Sequence, residues 1–193
     1  GKNTIRSSGE VVFDDVTFSY DEKNPLIENL DLKVKPKQKI AIVGPTGAGK
    51  STLINILMRY YEVDGGHVYL DGCEIRNLTR QSLHENISIV LQDPWLFEGT
   101  ILENIRYGKP NASMDEVIEA AQSADCHEFI MSLDKGYETQ ILKGASNISG
   151  GQKQLITIAR ALLVGGPILI LDEATSNIDS LTEKKIQSVF TKI

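Results

Sequence analysis

The sequence predicts an α/β fold, and three observations carry that prediction. Lys39 to Val43 and Ile168 to Leu171 are short, largely continuous apolar runs, the composition of strands covered on both faces as in a parallel sheet. Several longer segments repeat their apolar residues at helical spacing. The N-terminal third instead alternates apolar and polar residues, which predicts an antiparallel β appendage.

The chain opens on GKNTIRSSGE, a polar stretch that reads as a linker. Val11, Val12 and Phe13, then Val16, Phe18 and Tyr20, alternate like strands. His67 to Leu70, the dipeptide Asp71-Gly72 and Cys73 to Ile75 read as a hairpin with a two-residue turn. Thr52 to Tyr61 is expected to be a helix with Leu53, Ile54, Leu57 and Tyr61 on one side. A second helix is expected from Ser113 to Met131, opened by a Ser113-x-x-Glu116 capping box. A third carries the stripe Leu155, Ile158, Ala159, Leu162, and between Ile101 and Ala161 no convincing strand is visible. The chain closes on the stripe Ile186, Val189, Phe190, Ile193 without a helix stop signal, so further chain is expected beyond both ends.

Composition narrows the function classes. The 193 residues suffice for one domain with a sizeable core, at 41% apolar and 24% charged. A formal net charge of −6 with scattered Lys and Arg argues against a nucleic-acid partner. Cys73 and Cys126 match no metal-ligand or redox spacing and read as reduced thiols. No apolar run approaches the roughly 20 residues of a spanning helix.

Gly44-Pro45-Thr46-Gly47-Ala48-Gly49-Lys50-Ser51 fits G-x-x-x-x-G-K-[ST], after an apolar run and before a helix that takes in Thr52. Glycines let backbone N–H groups turn toward an anion, the helix N-terminus adds a favourable dipole, Lys50 neutralises β and γ phosphates, and Ser51 can ligate Mg²⁺. No Asn-Lys-x-Asp occurs, which favours ATP over GTP. The run Ile168 to Leu171 ends in Asp172-Glu173, where a parallel strand presents side chains to a ligand crevice. Asp172 is expected to hold Mg²⁺ and Glu173 to orient or deprotonate the attacking water. In NISGGQKQ, Gly150 and Gly151 stand where a helix begins and should weaken its start. As an anion-binding helix N-terminus, with Ser149 as its cap, the stretch makes physical sense.

The phosphate loop, the acidic pair and Ile148-Ser149-Gly150-Gly151-Gln152 together resemble the nucleotide-binding domain of ATP-binding cassette (ABC) transporters over nearly the whole chain. The resemblance implies a P-loop NTPase fold with a RecA-like parallel sheet core, an N-terminal antiparallel β subdomain and a helical subdomain. Residues 1–193 then form one domain, incomplete at its C-terminal end. Within it, 1–92 and 163–193 supply the β subdomain and core, and 93–162 the helical subdomain.

Carried over by position, the resemblance implies that Tyr20 stacks on adenine, and that Gln92 touches Mg²⁺ and the attacking water and faces the membrane domain. Ser149, Gly150, Gly151 and Gln152 would close over the γ-phosphate held by a second nucleotide-binding domain, identical or divergent, in a head-to-tail dimer. Asp179 would lie in the loop that crosses that interface. The segment from Trp95 to Gly108 resembles the exporter subclass, in which a transmembrane domain is fused upstream and the ATPase works at the cytoplasmic face of the membrane. Leu142-Lys143-Gly144 stands where exporters often carry a Gly-Glu pair, and the family's switch histidine would fall past the last residue. His67, His84 and His127 all precede Asp172 and read as surface or packing residues.

Two other functions compete with an exporter motor. A DNA-repair or chromosome ATPase of the same superfamily usually has a long coiled coil or large insertion between phosphate loop and signature and a basic surface, whereas Lys50 and Ser149 are only 99 positions apart with no sustained heptads between them. Alternatively these 193 residues, taken alone, are a nucleotide-binding module with little activity.

Overall fold

The computed structural model describes residues 1–21, 24–91, 93–172, 184 and 188. They gather into two compact units, Gly1–Ile87 and Ser88–Ile193. Glu173 and Asp179, with Gln92 and the C-terminal apolar stripe, lie outside the described residues.

The first unit is built on a four-stranded antiparallel sheet in the order β2-β1-β3-β4, with β1 at Val11–Phe18, β2 at Ile27–Val34, β3 at Gly65–Leu70 and β4 at Cys73–Glu74. The alternation in β1 buries Val11, Phe13, Val16 and Phe18, and a bulge at Asp14 and Asp15 keeps the second pair on the same face as the first. Across the sheet Phe13 stands opposite Leu32 on one side and Val68 on the other. Tyr20 falls beyond the end of the strand. Asp71 and Gly72 both adopt positive φ, as a two-residue hairpin turn of this hand requires.

Helix α1 runs Lys50–Leu57, starting two residues earlier and ending four earlier than the periodicity predicts. Its buried residues are Thr52, Ile56 and Leu57. A short helix α2, Arg80–Glu85, is capped by Thr79, whose hydroxyl accepts from the Ser82 N–H. The N-terminal stretch is no free linker: residues 2–10 are hydrogen-bonded along Asn77, Thr79, Ser82, Asn86 and Asp71. Its polar composition signals a segment held by hydrogen bonds rather than by apolar burial.

The strand expected at Lys39 to Val43 is not formed. The segment has no strand pairing among the described residues, and Ile40, Ile42 and Val43 are exposed, Val43 at 86%. Apolar composition qualifies a segment to be a strand, but hydrogen-bonded neighbours make it one.

The second unit centres on α6, Gly150–Val164, against which α3, Ile101–Arg106, and α4, Met114–Ser123, pack. Leu155, Ile156, Ile158 and Ala159 of α6 meet Ile101, Ile105, Val117 and Ala121 in one core. Capping boxes start α3, α4 and α6, at Thr100/Glu103, Ser113/Glu116 and Ser149/Gln152. The single helix expected from Ser113 to Met131 is broken, with α5 at His127–Met131 separated from α4 by Asp125 at φ 57°. Two-residue strands β6, Gly99–Thr100, and β7, Gln140–Ile141, pair across the base of α3, where no strand was expected.

Strands β5, Ile87–Val90, and β8, Ile168–Leu171, form a two-stranded sheet. The Asp172 N–H donates to the Val90 carbonyl at 3.0 Å, so the carboxyl ends of the two strands lie together, as parallel strands require. The strand expected at Ile168 to Leu171 is therefore present, but its side chains are half-buried and Leu171 is exposed, short of the two-sided cover its composition suggests. Among the described residues no helix is long and apolar enough to cross a membrane.

Candidate functional site

The phosphate loop leads into α1 through Gly49, whose φ of 87° is left-handed backbone that a side chain resists. A Cβ at Gly49 would make only ordinary contacts with Leu26 and Ile27, at 3.4–3.5 Å, so it is the turn that calls for glycine here. The Ala48 N–H closes onto the Pro45 carbonyl at 3.1 Å. Lys50 Nζ curls back to the Gly44 and Pro45 carbonyls at 2.8 and 3.0 Å. These are exposed hydrogen bonds that an incoming phosphate can replace, and the first-turn amides of α1 face the same loop. Thr46, Gly47 and Ser51 are exposed along it.

Tyr20 stands beside this helix. Its hydroxyl lies 3.1 Å from Thr52 Oγ1, and its ring makes edge contacts with Phe18 at 4.9 Å and Tyr61 at 5.1 Å. Half of the residue, 54%, stays exposed. The geometry thus ties an available aromatic face to the phosphate-loop helix. Tyr61, placed by its periodicity on the apolar side of a helix, instead lies past the end of α1 and buttresses Tyr20.

In the second unit, Asp172 follows β8 at the joined carboxyl ends of β5 and β8, half-buried. Ser51 and Asp172, the described members of the set the resemblance assigns to Mg²⁺, are hard oxygen donors of the kind that ion prefers. Among the described residues no cluster of three His, Cys, Asp or Glu could hold a metal by itself.

The signature stretch is the N-terminus of α6. Ser149 Oγ accepts from the Gln152 N–H at 3.2 Å, and Gln152 Oε1 accepts from the Ser149 N–H at 3.0 Å. This reciprocal cap offsets the helix-weakening effect of the two glycines. The Ser-x-x-Gln spacing could have revealed it, as Ser113-x-x-Glu116 was revealed. The glycines are not equivalent: Gly151 is buried in the first turn, while a Cβ on Gly150 would meet nothing within 4 Å.

The remaining candidates have local roles. His67 Nδ1 lies 2.9 Å from Glu74, His84 Nε2 2.9 Å from the Met58 carbonyl and His127 Nδ1 2.9 Å from the Tyr137 hydroxyl. Cys73 and Cys126 are free, and burial pushes the Cys126 thiol up to about 12. Asn104, fully buried, accepts from the Phe97 N–H and donates to the Phe97 and Thr100 carbonyls. Arg160 of α6 donates to the Asn104 and Trp95 carbonyls, and burial lowers the pKa of its guanidinium.

Comparison with known proteins agrees with this arrangement. The family model for ABC transporters matches residues 27–176. A fatty acid ABC transporter ATP-binding/permease protein of Mycobacterium tuberculosis is 49% identical over 186 residues, covering 96% of this chain and 30% of that protein. An uncharacterized ABC transporter ATP-binding protein of Bacillus subtilis is 51% identical over 195 residues, covering 100% of this chain and 32% of the other. The solved structure of a bacterial Atm1-family ABC exporter with ATP bound superposes with a TM-score of 0.91 at 39% identity, covering 100% of this chain and 35% of that one. The chain thus spans about a third of the length of the relatives it matches. With the family model covering most of its length and such relatives on either side of half identity, the chain belongs to the ABC transporter family, in its ATP-binding domain.

Proposed function

We propose that this chain is the ATP-binding and ATP-hydrolysing motor of an exporter, fused behind a transmembrane domain and working at the cytoplasmic face of the membrane. The observation that supports it most is that one chain carries two glycine-flanked helix N-termini of anion-binding type, α1 behind Lys50 and α6 behind Ser149. The first suits the chain's own nucleotide; the second suits the γ-phosphate of a nucleotide held by a second such domain. Two domains of net charge −6 repel each other, so ATP sandwiched between them supplies the adhesion.

In this reading Tyr20 stacks on adenine, and Lys50 leaves the Gly44 and Pro45 carbonyls for the β and γ phosphates. Thr46 to Thr52 wrap the phosphates with backbone amides and hydroxyls. Ser51, Asp172 and Gln92 would hold Mg²⁺, which would neutralise charge on the transferring phosphoryl group. Glu173 takes a proton from the attacking water, and Asp179 lies at the dimer interface.

The test is Gly150→Asp in the full-length protein. An acidic residue in the first turn of α6 favours the helix dipole and its Cβ meets no neighbour within 4 Å, yet it repels a phosphate. ATP binding is expected to survive and ATP-driven association of the domains to be lost. Normal association would remove the signature from its role in trans.

A second reading concerns these 193 residues alone: a nucleotide-binding module with little activity. The segment before the phosphate loop, which belongs to no strand among the described residues and exposes Ile40, Ile42 and Val43, favours it, because the loop then lacks a rigid strand at its entrance. Turnover by the isolated chain close to that of the full-length protein would overturn this.

A further inference from the structure

We propose that residues 2–10 form a docked strap through which the upstream domain pulls on the phosphate-loop unit, with Asp71, Ser82 and Asn86 as the positioning residues that fasten it. The proposal rests on the exporter reading, in which a membrane domain precedes this chain.

The fasteners act in series along the strap. Asn3 bridges to Leu78 in parallel, with the Thr79 N–H donating to the Asn3 carbonyl at 2.8 Å. Ser82 Oγ accepts from the Ile5 N–H at 2.8 Å and donates to the Ile5 carbonyl at 3.2 Å. Asn86 donates to that carbonyl at 3.0 Å and accepts from the Ser7 N–H at 2.8 Å. Asp71 then takes four donors, the hydroxyls of Ser7 and Ser8 and the amides of Ser8 and Glu10. In return its own N–H donates to the Glu10 carbonyl at 2.9 Å, where β1 begins. Ser82 and Asn86 are themselves buried, so their bonds to the strap are shielded from water.

The form of this attachment suits the transmission of movement. Little of the strap is buried apolar surface; it is held by directional bonds from particular side chains to particular backbone atoms, which fix register as burial alone does not. Nine free residues would let their ends wander by about 16 Å, enough to absorb a helix shift of one turn. Docked, the same residues leave little slack. All the fasteners belong to the compact unit that also carries Lys50, so the strap is attached to the unit that holds the phosphate loop.

The test uses the full-length protein in lipid nanodiscs, with spin labels on the cytoplasmic ends of the membrane helices and ATP–vanadate as the trapping probe. Asp71→Asn retains a residue that tolerates the left-handed turn but replaces an acceptor oxygen with a donor. It is compared with Ser7→Ala/Ser8→Ala and with all three changes combined. The expected result is trapped nucleotide within twofold of wild type, a fraction of closed membrane domains cut by at least half, and no further loss in the combined variant. Hydrogen exchange at Ser7, Ser8 and Glu10 is expected to rise at least tenfold. Closure at the wild-type level despite faster exchange would overturn the proposal. So would exchange that stays slow in the combined variant, or trapping that falls in parallel with closure, the mark of a merely structural role. If the wild-type membrane helices do not move on trapping, the exporter reading itself fails, and the strap's role falls with it.

Discussion

The hydroxyl of Tyr20 and the hydroxyl of Thr52 lie 3.1 Å apart, and this contact joins the aromatic side chain to the first turn of the phosphate-loop helix. A ring held this way loses little further freedom when a base stacks on it. Tyr20→Phe keeps the face and drops the tether, and is expected to change the affinity for a fluorescent ATP analogue by no more than about threefold. Tyr20→Ala removes the face, and a stacking contribution of about 0.5–1.5 kcal/mol corresponds to a loss of up to about tenfold. Equal effects of the two variants would mean that Tyr20 serves the fold rather than the nucleotide.

What the sequence discloses here depends on whether the signal is local. The Asp71-Gly72 hairpin and the Ser113 capping box are written in adjacent residues, and both form as expected. The phosphate loop is legible for the same reason, since glycine spacing alone specifies a backbone that can turn toward an anion. Lys39 to Val43 is different, because a strand depends on distant partners that composition does not name. The break at Asp125 is also hidden, since aspartate tolerates positive φ without demanding it. Ser149 as a cap is legible in the sequence, whereas the reciprocal bond from Gln152 is obscured by the glycines between the two residues.

Glu173 tests the chemistry independently of binding. If Glu173 is the general base, Glu173→Gln preserves size and removes that base, so ATP binding by the full-length protein is expected to stay within about twofold of wild type. Steady-state phosphate release should fall by about 10²- to 10⁴-fold, the range general base catalysis supplies. Turnover near the wild-type rate would place the base elsewhere.

Asp71 makes the strap sensitive to acid. Burial alone would raise its pKa, but hydrogen bonds from Ser7, Ser8 and Glu10 outweigh it and hold the carboxyl down to about 2, against an ordinary 3.8. A depressed folded-state value means that the carboxylate's contribution is complete above the ordinary pKa and is lost as pH falls through the folded one. The gap in melting temperature between wild type and Asp71→Asn is therefore expected to be constant from pH 7 to about 5 and to shrink toward pH 2. A gap that widened on acidification would show that the charge is not what holds the strap.

Asn104 tests the core of the second unit. It satisfies the Phe97 N–H and carbonyl and the Thr100 carbonyl from a fully buried position. Asn104→Ala leaves those groups without their partner and opens a small void, at an expected cost of about 2–3 kcal/mol in urea unfolding. Trp95, the single tryptophan, contributes the carbonyl that Arg160 holds and reports the change by fluorescence. A loss below about 0.5 kcal/mol would mean that other groups or water satisfy the same atoms.

Gln152 separates stability from association. Its side chain accepts from the Ser149 N–H at 3.0 Å, a task that glutamate performs equally well and with a better match to the helix dipole. Gln152→Glu should therefore leave the melting temperature unchanged or slightly raised, whereas Gln152→Ala should lose about 0.5–1 kcal/mol with the cap. If the N-terminus of α6 receives the γ-phosphate of a partner's ATP, the same Gln152→Glu change places a negative charge beside that phosphate. ATP-driven dimerisation, followed by size-exclusion chromatography with Glu173→Gln in the background, is then expected to weaken by about tenfold or more, although the domain is no less stable. A Gln152→Glu protein that dimerises as tightly as its parent would show that this helix end is capped for its own sake and meets no anion.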